Sequence, residues 1–334
     1  METESESEIE IEIDVIKSVF TPDLFNVEKI GAKIFITSKD SNKNCLVLEI
    51  RKNTIEIVKL DKCNTSGSLS LSLVEKLATI LPNIRYISLL DASTINTNCR
   101  DIDGHYIDID LPTLKILTRG MSWYNSHGYI SPNFEEEQRR NSEILRMSFE
   151  DVIQLCTIQQ IDEFKHYHTV EILQKTLESL ERTILKYGEG EKINSRILDL
   201  RNNIKNYPFY LSSNIRKIEE QNQMLIDEAK YLFPRIDTTS INIKEYVTQM
   251  LESINNRFDS SDELSCKKYA FISNLLRFIF ISRVLYYDVI CLTKEINKPP
   301  VGGKRQKRRK TKSKKRRKTK SKKHKNKKLF SHNM

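Results

Sequence analysis

The spacing of apolar residues changes near residue 134, and this change limits the chain to a fold built from two kinds of element. Before that point, short runs rich in Ile, Leu and Val are separated by polar turns, as in successive β-strands. From Glu135 to Lys298 the chain holds only two Gly and two Pro, and apolar residues recur every three or four positions. The sequence therefore predicts an α+β protein with a mixed α/β domain over 18–134 and an all-α helical bundle over 135–298.

Within the first region, the pattern predicts a three-stranded antiparallel meander, then a helix and a further strand. The predicted strands are 33–37, 45–50, 54–60 and 85–91, and the predicted helices are 68–80 and 111–125. The acidic residues between Asp101 and Asp110 lack the regular spacing of a calcium loop. Asp103 and Gly104 are instead interpreted as a turn between two strands.

The two ends of the chain carry opposite charges. Seven carboxylates and no basic residue precede Lys17, which predicts an acidic disordered leader over 1–17 rather than a signal peptide. The segment 304–328 holds 18 of the 55 Lys and Arg residues, and no Asp or Glu follows Glu295. The remaining 37 basic and 45 acidic side chains give the rest of the chain a net charge of −8. No apolar residue occurs between Lys304 and Leu329, so no core can form there and 299–334 is predicted to be a disordered basic tail.

The tail predicts contact with nucleic acid or another polyanion, through electrostatic and sequence-independent binding. The same basic clusters also suit nuclear-import signals or a tail that only improves solubility. The candidate nucleic-acid-binding residues are Lys304, Arg305, Lys307, Arg308, Arg309, Lys310, Lys314, Lys315, Arg316, Arg317 and Lys318.

The apolar run from Tyr269 to Leu292 is long enough to cross a membrane, but Arg277, Arg283 and Asp288 interrupt it. Each charge would cost roughly 2.5–3.5 kcal/mol at a bilayer centre, so the run is predicted to be a buried helix of the bundle and no membrane span is expected. The six cysteines show no metal-ligand spacing, which predicts reduced thiols and no metal site.

Several catalytic motifs are absent from the sequence. Ser66 and the serines after it lie near no Gly-x-Ser-x-Gly elbow, and their positions suggest no Asp/His pairing, which argues against a serine hydrolase. Neither a Gly-x-x-x-x-Gly-Lys loop nor a Gly-x-Gly-x-x-Gly turn occurs, which removes the usual grounds for an NTPase or a dinucleotide-binding protein.

The order of the predicted elements and the segment 122–129 resemble the acetyl-CoA-dependent N-acetyltransferase family called GNAT. Its last helix commonly ends in Tyr, three intervening residues and Gly-Phe, and Tyr124, Gly128 and Tyr129 match that register with Tyr in place of Phe. The family's pyrophosphate loop, Gln/Arg-x-x-Gly-x-Gly/Ala, aligns with 64–69 and agrees at Gly67, whereas Asn64 and Leu69 depart from it.

This resemblance implies acetyl-CoA as the cofactor. Backbone amides at Ser66, Gly67 and Ser68 would hold its pyrophosphate at a helix N-terminus, and Tyr124 would protonate the departing thiolate. A purely structural interpretation, with Trp123 and Tyr124 as core aromatics and Gly128 as a helix cap, accounts for the same residues.

The whole chain also looks similar to uncharacterised proteins of giant nucleocytoplasmic DNA viruses, through its Ile-, Lys- and Asn-rich composition and its basic tail. That resemblance implies a location in the cytoplasm or nucleus of an infected cell, or in a virion. The sequence and these resemblances are consistent with two functions. The first is an acetyl-CoA-dependent N-acyltransferase-like protein, active or degenerate, with a protein partner at its helical region. The second is a non-enzymatic nucleic-acid-binding or scaffold protein.

Overall fold

A computed structural model describes residues 6–40, 42–61, 66–187, 191–288 and 292–296. In this part of the chain a mixed sheet of six strands has the order β1-β2-β3-β4-β5-β8. Its strands are β1 (Phe25–Ile30), β2 (Lys33–Ser38), β3 (Asn44–Arg51), β4 (Thr54–Leu60), β5 (Tyr86–Leu89) and β8 (Leu292–Glu295). The first four strands form an antiparallel meander, and helix α2 (Gly67–Ile80) crosses over to β5, which runs parallel to β4. The predicted three strands, helix and further strand of a mixed sheet are confirmed, whereas β1 is a fourth meander strand that the sequence pattern did not predict.

The carboxyl end of β4 is irregularly paired with both of its neighbours, β3 and β5. Strand β3 pairs Val47 with Lys59 and Leu48 with Ile57, so Val58 is an extra, bulged residue of β4. Pairing between β4 and β5 stops at Ile57 and Leu89, three residues before β4 ends. The end of β4 therefore leads toward the N-terminus of α2 without a partner from β5.

A two-stranded hairpin, β6 (Thr94–Arg100) and β7 (Tyr106–Asp110), follows the sheet and leads directly into α3 (Leu111–Arg119). Gly104 takes a positive φ of 81° in the hairpin turn, as the Asp-Gly pair predicts. The helix predicted over 111–125 ends earlier, because Gly120 adopts the left-handed conformation and its N–H caps the carbonyl of Ile116.

The C-terminal half is helical, as predicted. Its helices are α4 (Phe134–Ile144), α5 (Phe149–Tyr167), α6 (Val170–Tyr187), α7 (Glu191–Lys205), α8 (Tyr207–Leu232), α9 (Ile243–Glu252) and α10 (Glu263–Ile281). Helices α6 and α7 pack against each other and are joined by an ion pair of 2.7 Å between Arg201 and Glu181. The side chain of Asn242 caps α9 and that of Asp262 caps α10.

Two hydrophobic cores are present. The first, called the sheet core, joins the sheet to α2 and to helix α1 (Glu6–Val19), and includes Ile36, Val74 and Tyr129. The second, called the helical core, is centred on α5, α9 and α10 and includes Phe149, Tyr246 and Leu275. All six of these side chains are fully buried.

Each core contains residues from both sides of the domain boundary predicted between residues 134 and 135. Cys99, Ile109 and Leu117, from the hairpin and α3, are buried in the helical core. Leu292 of β8, from the far side of that boundary, is buried in the sheet core. The chain therefore passes between the two cores more than once.

The segment predicted as a disordered leader over 1–17 is instead helical from Glu6 as part of α1, and Ile16, Val19 and Phe20 around the end of this helix are buried in the sheet core. The apolar face of this acidic segment is what draws it onto the sheet. Residues 1–5 lie outside the described residues.

The helix predicted to run to Leu292 ends at Ile281. Arg283 takes a positive φ of 54° just after it, and the chain then returns to the sheet as β8. Within the described residues, no helix is both long enough and apolar enough to cross a membrane.

The prediction of six reduced thiols is wrong. Cys99 and Cys266 form a disulfide with their Cα atoms 5.4 Å apart, joining β6 to α10 across 167 positions of sequence. Cys45 is also disulfide-bonded, and Cys156 is a buried free thiol. Spacing in the sequence could not show this, because the contact depends on how the hairpin packs on α10. Cys63 and Cys291 lie outside the described residues.

Candidate functional site

The N-terminus of α2 brings together the three residues predicted to bind a cofactor. Ser66 caps the helix, because its Oγ accepts a hydrogen bond of 3.2 Å from the N–H of Leu69. The N–H groups of Gly67 and Ser68 have no hydrogen-bond partner among the described residues. Such free amides, at the positive end of a helix dipole, are the chemical requirement for holding an anion.

Trp123 covers this helix end. A Cβ atom built on Gly67 would lie 3.0 Å from Cη2 and 3.3 Å from Cζ2 of the indole ring. A side chain at this position would press against the indole ring, which would have to shift by a few tenths of an ångström to make room. The space beside Gly67 that a pyrophosphate would need is therefore filled by an aromatic side chain.

Ser68 and His127 meet at the same place. The Oγ of Ser68 lies 3.0 Å from Nε2 of His127, and Nδ1 of His127 lies 2.9 Å from the carbonyl oxygen of Trp123. Since a carbonyl only accepts, Nδ1 carries the proton, and Nε2 of a neutral ring accepts from the serine hydroxyl. No sequence motif indicates this contact, because 59 positions separate the two residues.

Buried Asn125 shapes the segment that carries Trp123 and His127. Its Nδ2 donates to the carbonyl of Tyr129 at 2.9 Å, and its Oδ1 accepts from the N–H of Ser122 at 3.1 Å. This segment is a short 3-10 turn, Asn125–His127, rather than the end of a long helix. The turn directs the indole of Trp123 onto α2.

Tyr124, the predicted proton donor, lies in the sheet core with 7% of its surface exposed. Its ring makes edge contacts with Trp123, with centroids 4.8 Å apart, and with Tyr129, at 6.2 Å. Burial, followed by the negative charge of Asp91, raises the pKa of Tyr124 well above the usual tyrosine range. The side chain is therefore protonated at neutral pH but enclosed by neighbouring rings.

A half-buried ion pair borders the helix end. Nζ of Lys294 lies 2.7 Å from Glu75 of α2 and donates to the carbonyl of His127 at 2.8 Å. The hydroxyl of Tyr129 also donates to Glu75, at 3.5 Å. These contacts fasten β8 and the Trp123 turn to α2, which keeps the indole in place.

Asp91, at the end of β5, is a buried carboxylate close to Tyr124. It accepts hydrogen bonds from the hydroxyls of Ser93, at 2.6 Å, and Tyr287. Burial raises the pKa of Asp91, and burial together with the Asp91 charge raises that of Tyr287. Because both tyrosine and serine donate to it, this carboxylate anchors the segment after α10 to the sheet.

The side chains of Asp101, Asp103 and His105 lie within 4.8 Å of one another at the exposed tip of the β6–β7 hairpin. Asp101 accepts from the backbone N–H groups of Asp103 and His105 at 3.0 and 2.9 Å. These bonds define the predicted turn and explain why the acidic residue stands at its start.

The eleven basic residues predicted to bind nucleic acid, between Lys304 and Lys318, lie outside the described residues. Their role stays a prediction. Comparison of the chain with protein-family models, with curated proteins and with solved structures gives no match.

Proposed function

We propose that this protein is a non-enzymatic polyanion-binding protein whose N-terminal region is a GNAT-like acetyltransferase fold with a closed coenzyme site. The observation that carries the proposal is the packing of Trp123 on Gly67, which fills the space beside the helix end. The sheet supports the fold assignment, because a meander, the crossover helix α2 and the parallel strand β5 follow the order that the resemblance implies.

The enclosure of Tyr124 supports the loss of catalysis. A general acid must come within hydrogen-bond reach of the group it protonates, about 2.6–3.2 Å. Tyr124 is packed between Trp123 and Tyr129 in the sheet core, and reaching it would require the indole to move.

The charge of the tail supports polyanion binding. Nucleic acid would meet 18 basic residues within 304–328, whereas the remainder of the chain is net negative and repels phosphate. Binding would therefore depend on the tail and on salt rather than on base sequence.

The closed site is tested by adding acetyl-CoA at millimolar concentration and following fluorescence and heat. Trp123 is the chain's only tryptophan, so its emission reports directly on the N-terminus of α2. We expect no heat and no emission change with the wild-type protein. Binding heat accompanied by a change in Trp123 emission would overturn the closed-site proposal.

The polyanion function is tested by comparing the full chain with a variant in which 304–328 is replaced by a Gly/Ser segment of equal length. For 6–10 phosphate contacts, the affinity of the full chain for duplex DNA should fall roughly 10³–10⁵-fold between about 50 and 200 mM salt. The Gly/Ser variant should lose most of the binding. Equal binding by both chains, or a flat salt response, would contradict this function.

A second candidate, an active N-acetyltransferase, is favoured by one observation. The bulge at Val58 interrupts the ladder between β3 and β4 just beyond Ile57, where pairing with β5 stops, so backbone groups at the end of β4 have no partner in β5. If acetyl transfer to amines is detected, Tyr124→Phe should lower turnover by about 10²–10⁴-fold with little change in acetyl-CoA affinity. Unchanged turnover would remove Tyr124 from the mechanism.

A further inference from the structure

A cavity of about 640 Å³ lies between the hairpin, α3 and the connection from α9 to α10. This volume falls in the range of small-molecule sites, about 300–1,000 Å³. The cavity is separate from the N-terminus of α2, and none of its lining residues stood out in the sequence.

Three cationic side chains line this cavity. Lys115 and Arg119 come from successive turns of α3, and Arg257 comes from the connection after α9. Among the described residues, none of the three lies within ion-pair distance of a carboxylate, although Asp259 also lines the cavity. The charged lining thus has an excess of two positive charges.

Lys115 and Arg119 are placed where they repel each other. Like charges four residues apart on a helix destabilise it. Burial, and then the charge of Arg119, lower the pKa of Lys115. An anion between the two side chains would remove this repulsion, and the guanidinium groups of Arg119 and Arg257 could each donate two hydrogen bonds to phosphate oxygens.

The remaining wall of the cavity is mixed, with four apolar side chains beside the polar residues Asn96, Asn98, Asn256 and Asp259. Ile95, Leu114, Leu251 and Phe258 line it beside the cations. A ligand that fills the cavity would therefore combine a charged group with an apolar or aromatic body.

The walls are held together before any ligand arrives. The Nδ2 of Asn98 donates to the carbonyl of Asp259 at 2.9 Å, and the Cys99–Cys266 disulfide joins the same strand to α10. Asn256 takes a φ of 55°, and its N–H caps the carbonyl of Leu251 at the end of α9. A fixed cavity reduces the entropy that a ligand would otherwise lose in ordering it.

We propose that the cavity formed by Lys115, Arg119, Arg257 and Phe258 binds a small phosphorylated ligand with a planar apolar body, of the nucleotide class. The phosphates would lie among the three cations and the base against Phe258. This site is independent of the basic tail and of the N-terminus of α2.

The test is calorimetric titration of the full chain with ADP, adenosine and inorganic pyrophosphate at physiological salt. ADP should bind, pyrophosphate should bind more weakly, and adenosine should bind weakest of the three. Lys115→Met and Arg119→Met should each weaken ADP binding about 10-fold or more, as loss of a charge-assisted hydrogen bond predicts. Lys244→Met removes the same charge from an exposed position of α9 and should leave affinity unchanged.

A second measurement does not depend on the variants folding normally. Amine-directed labelling of Lys115 in the wild-type chain, read by peptide mass spectrometry, should slow when ADP is present, whereas labelling of Lys244 should not. Absence of ADP binding at millimolar concentration, or equal weakening by all three variants, would overturn the proposal. Loss of duplex DNA binding in Lys115→Met without loss of ADP binding would assign the cavity to nucleic acid and also overturn it.

Discussion

The sheet core and the helical core collect their residues from the chain in different ways. Among the described residues, most of the sheet core comes from the stretch between Ile16 and Leu89, and the later parts that return to it are the Trp123 turn, Tyr287 and the segment 292–296. The helical core takes the hairpin and α3 from before residue 134 and its remaining helices from after it. The comparison shows that a change in sequence pattern marks where element types change, and does not mark where a folded unit ends.

Separating the chain at the pattern change should have the largest effect. Fragments 18–134 and 135–298 should each lose cooperative thermal unfolding, because the first exposes Ile109 and Leu117 and the second exposes Leu292. Chain 1–297 should keep the cooperative transition of the full protein. Circular dichroism melts check both expectations, and two fragments with sharp transitions would restore the boundary at 134/135.

Leu275→Ala should destabilise the protein by about 2–5 kcal/mol, because the side chain is fully buried in the helical core. If the two cores unfold together, emission of Trp123 in the sheet region should shift along with the far-ultraviolet signal of the helices. Chemical denaturation followed by both probes measures this. Leu185 is 86% exposed, so the free energy of unfolding of Leu185→Ala should stay within about 0.5 kcal/mol of the wild-type value. A helical transition that moves without the Trp123 transition would mean that the cores unfold separately.

Replacing both Cys99 and Cys266 by Ala should cost about 2–4 kcal/mol, since the bond closes a long loop between the hairpin and α10. The unfolding midpoint in denaturant, compared with wild type without reductant, gives the value. Adding reductant should also lower the unfolding midpoint of the double variant less than that of the wild-type protein. Equal midpoints for the two proteins would show that packing alone holds β6 on α10.

Lys294→Met should lower the free energy of unfolding by about 1 kcal/mol, because both members of the ion pair between Lys294 and Glu75 are partly shielded from water. The emission of Trp123 should change as well, since Lys294 also holds the carbonyl of His127. Lys267→Met, in the exposed pair with Glu263, is the matched control and should change neither quantity. Unchanged emission in Lys294→Met would mean that the indole is fixed on Gly67 without this contact.

Local patterns predicted most of the regular elements. Strands β2, β3 and β4 and helix α2 lie close to their predicted bounds, because alternation and helical spacing act over a few residues. The errors occur where a distant contact decides the outcome. Acidic α1 folds because Ile16 meets the sheet, and the chain after Ile281 leaves the helix to form β8 beside β5.

The candidate sites divide in the same way. The sequence placed Ser66, Gly67 and Ser68 at a helix start, and the cap at Ser66 agrees with that placement. It could not show that Trp123 would cover Gly67 or that His127 would reach Ser68, since both contacts span more than fifty positions. Lys115, Arg119 and Arg257 carry no motif, and only the packing of α3 against the end of α9 brings them to one cavity.

The sequence by itself determined the α+β class, the order of most strands and helices, and the concentration of basic charge after residue 303. These properties follow from the spacing of apolar residues and from the charge of each segment, which neighbouring residues fix among themselves. The tertiary structure alone decided which segments share a core, which cysteines pair and which helix end is covered. Those outcomes depend on contacts between residues far apart in sequence, whose free energy is gained only when the whole chain is packed.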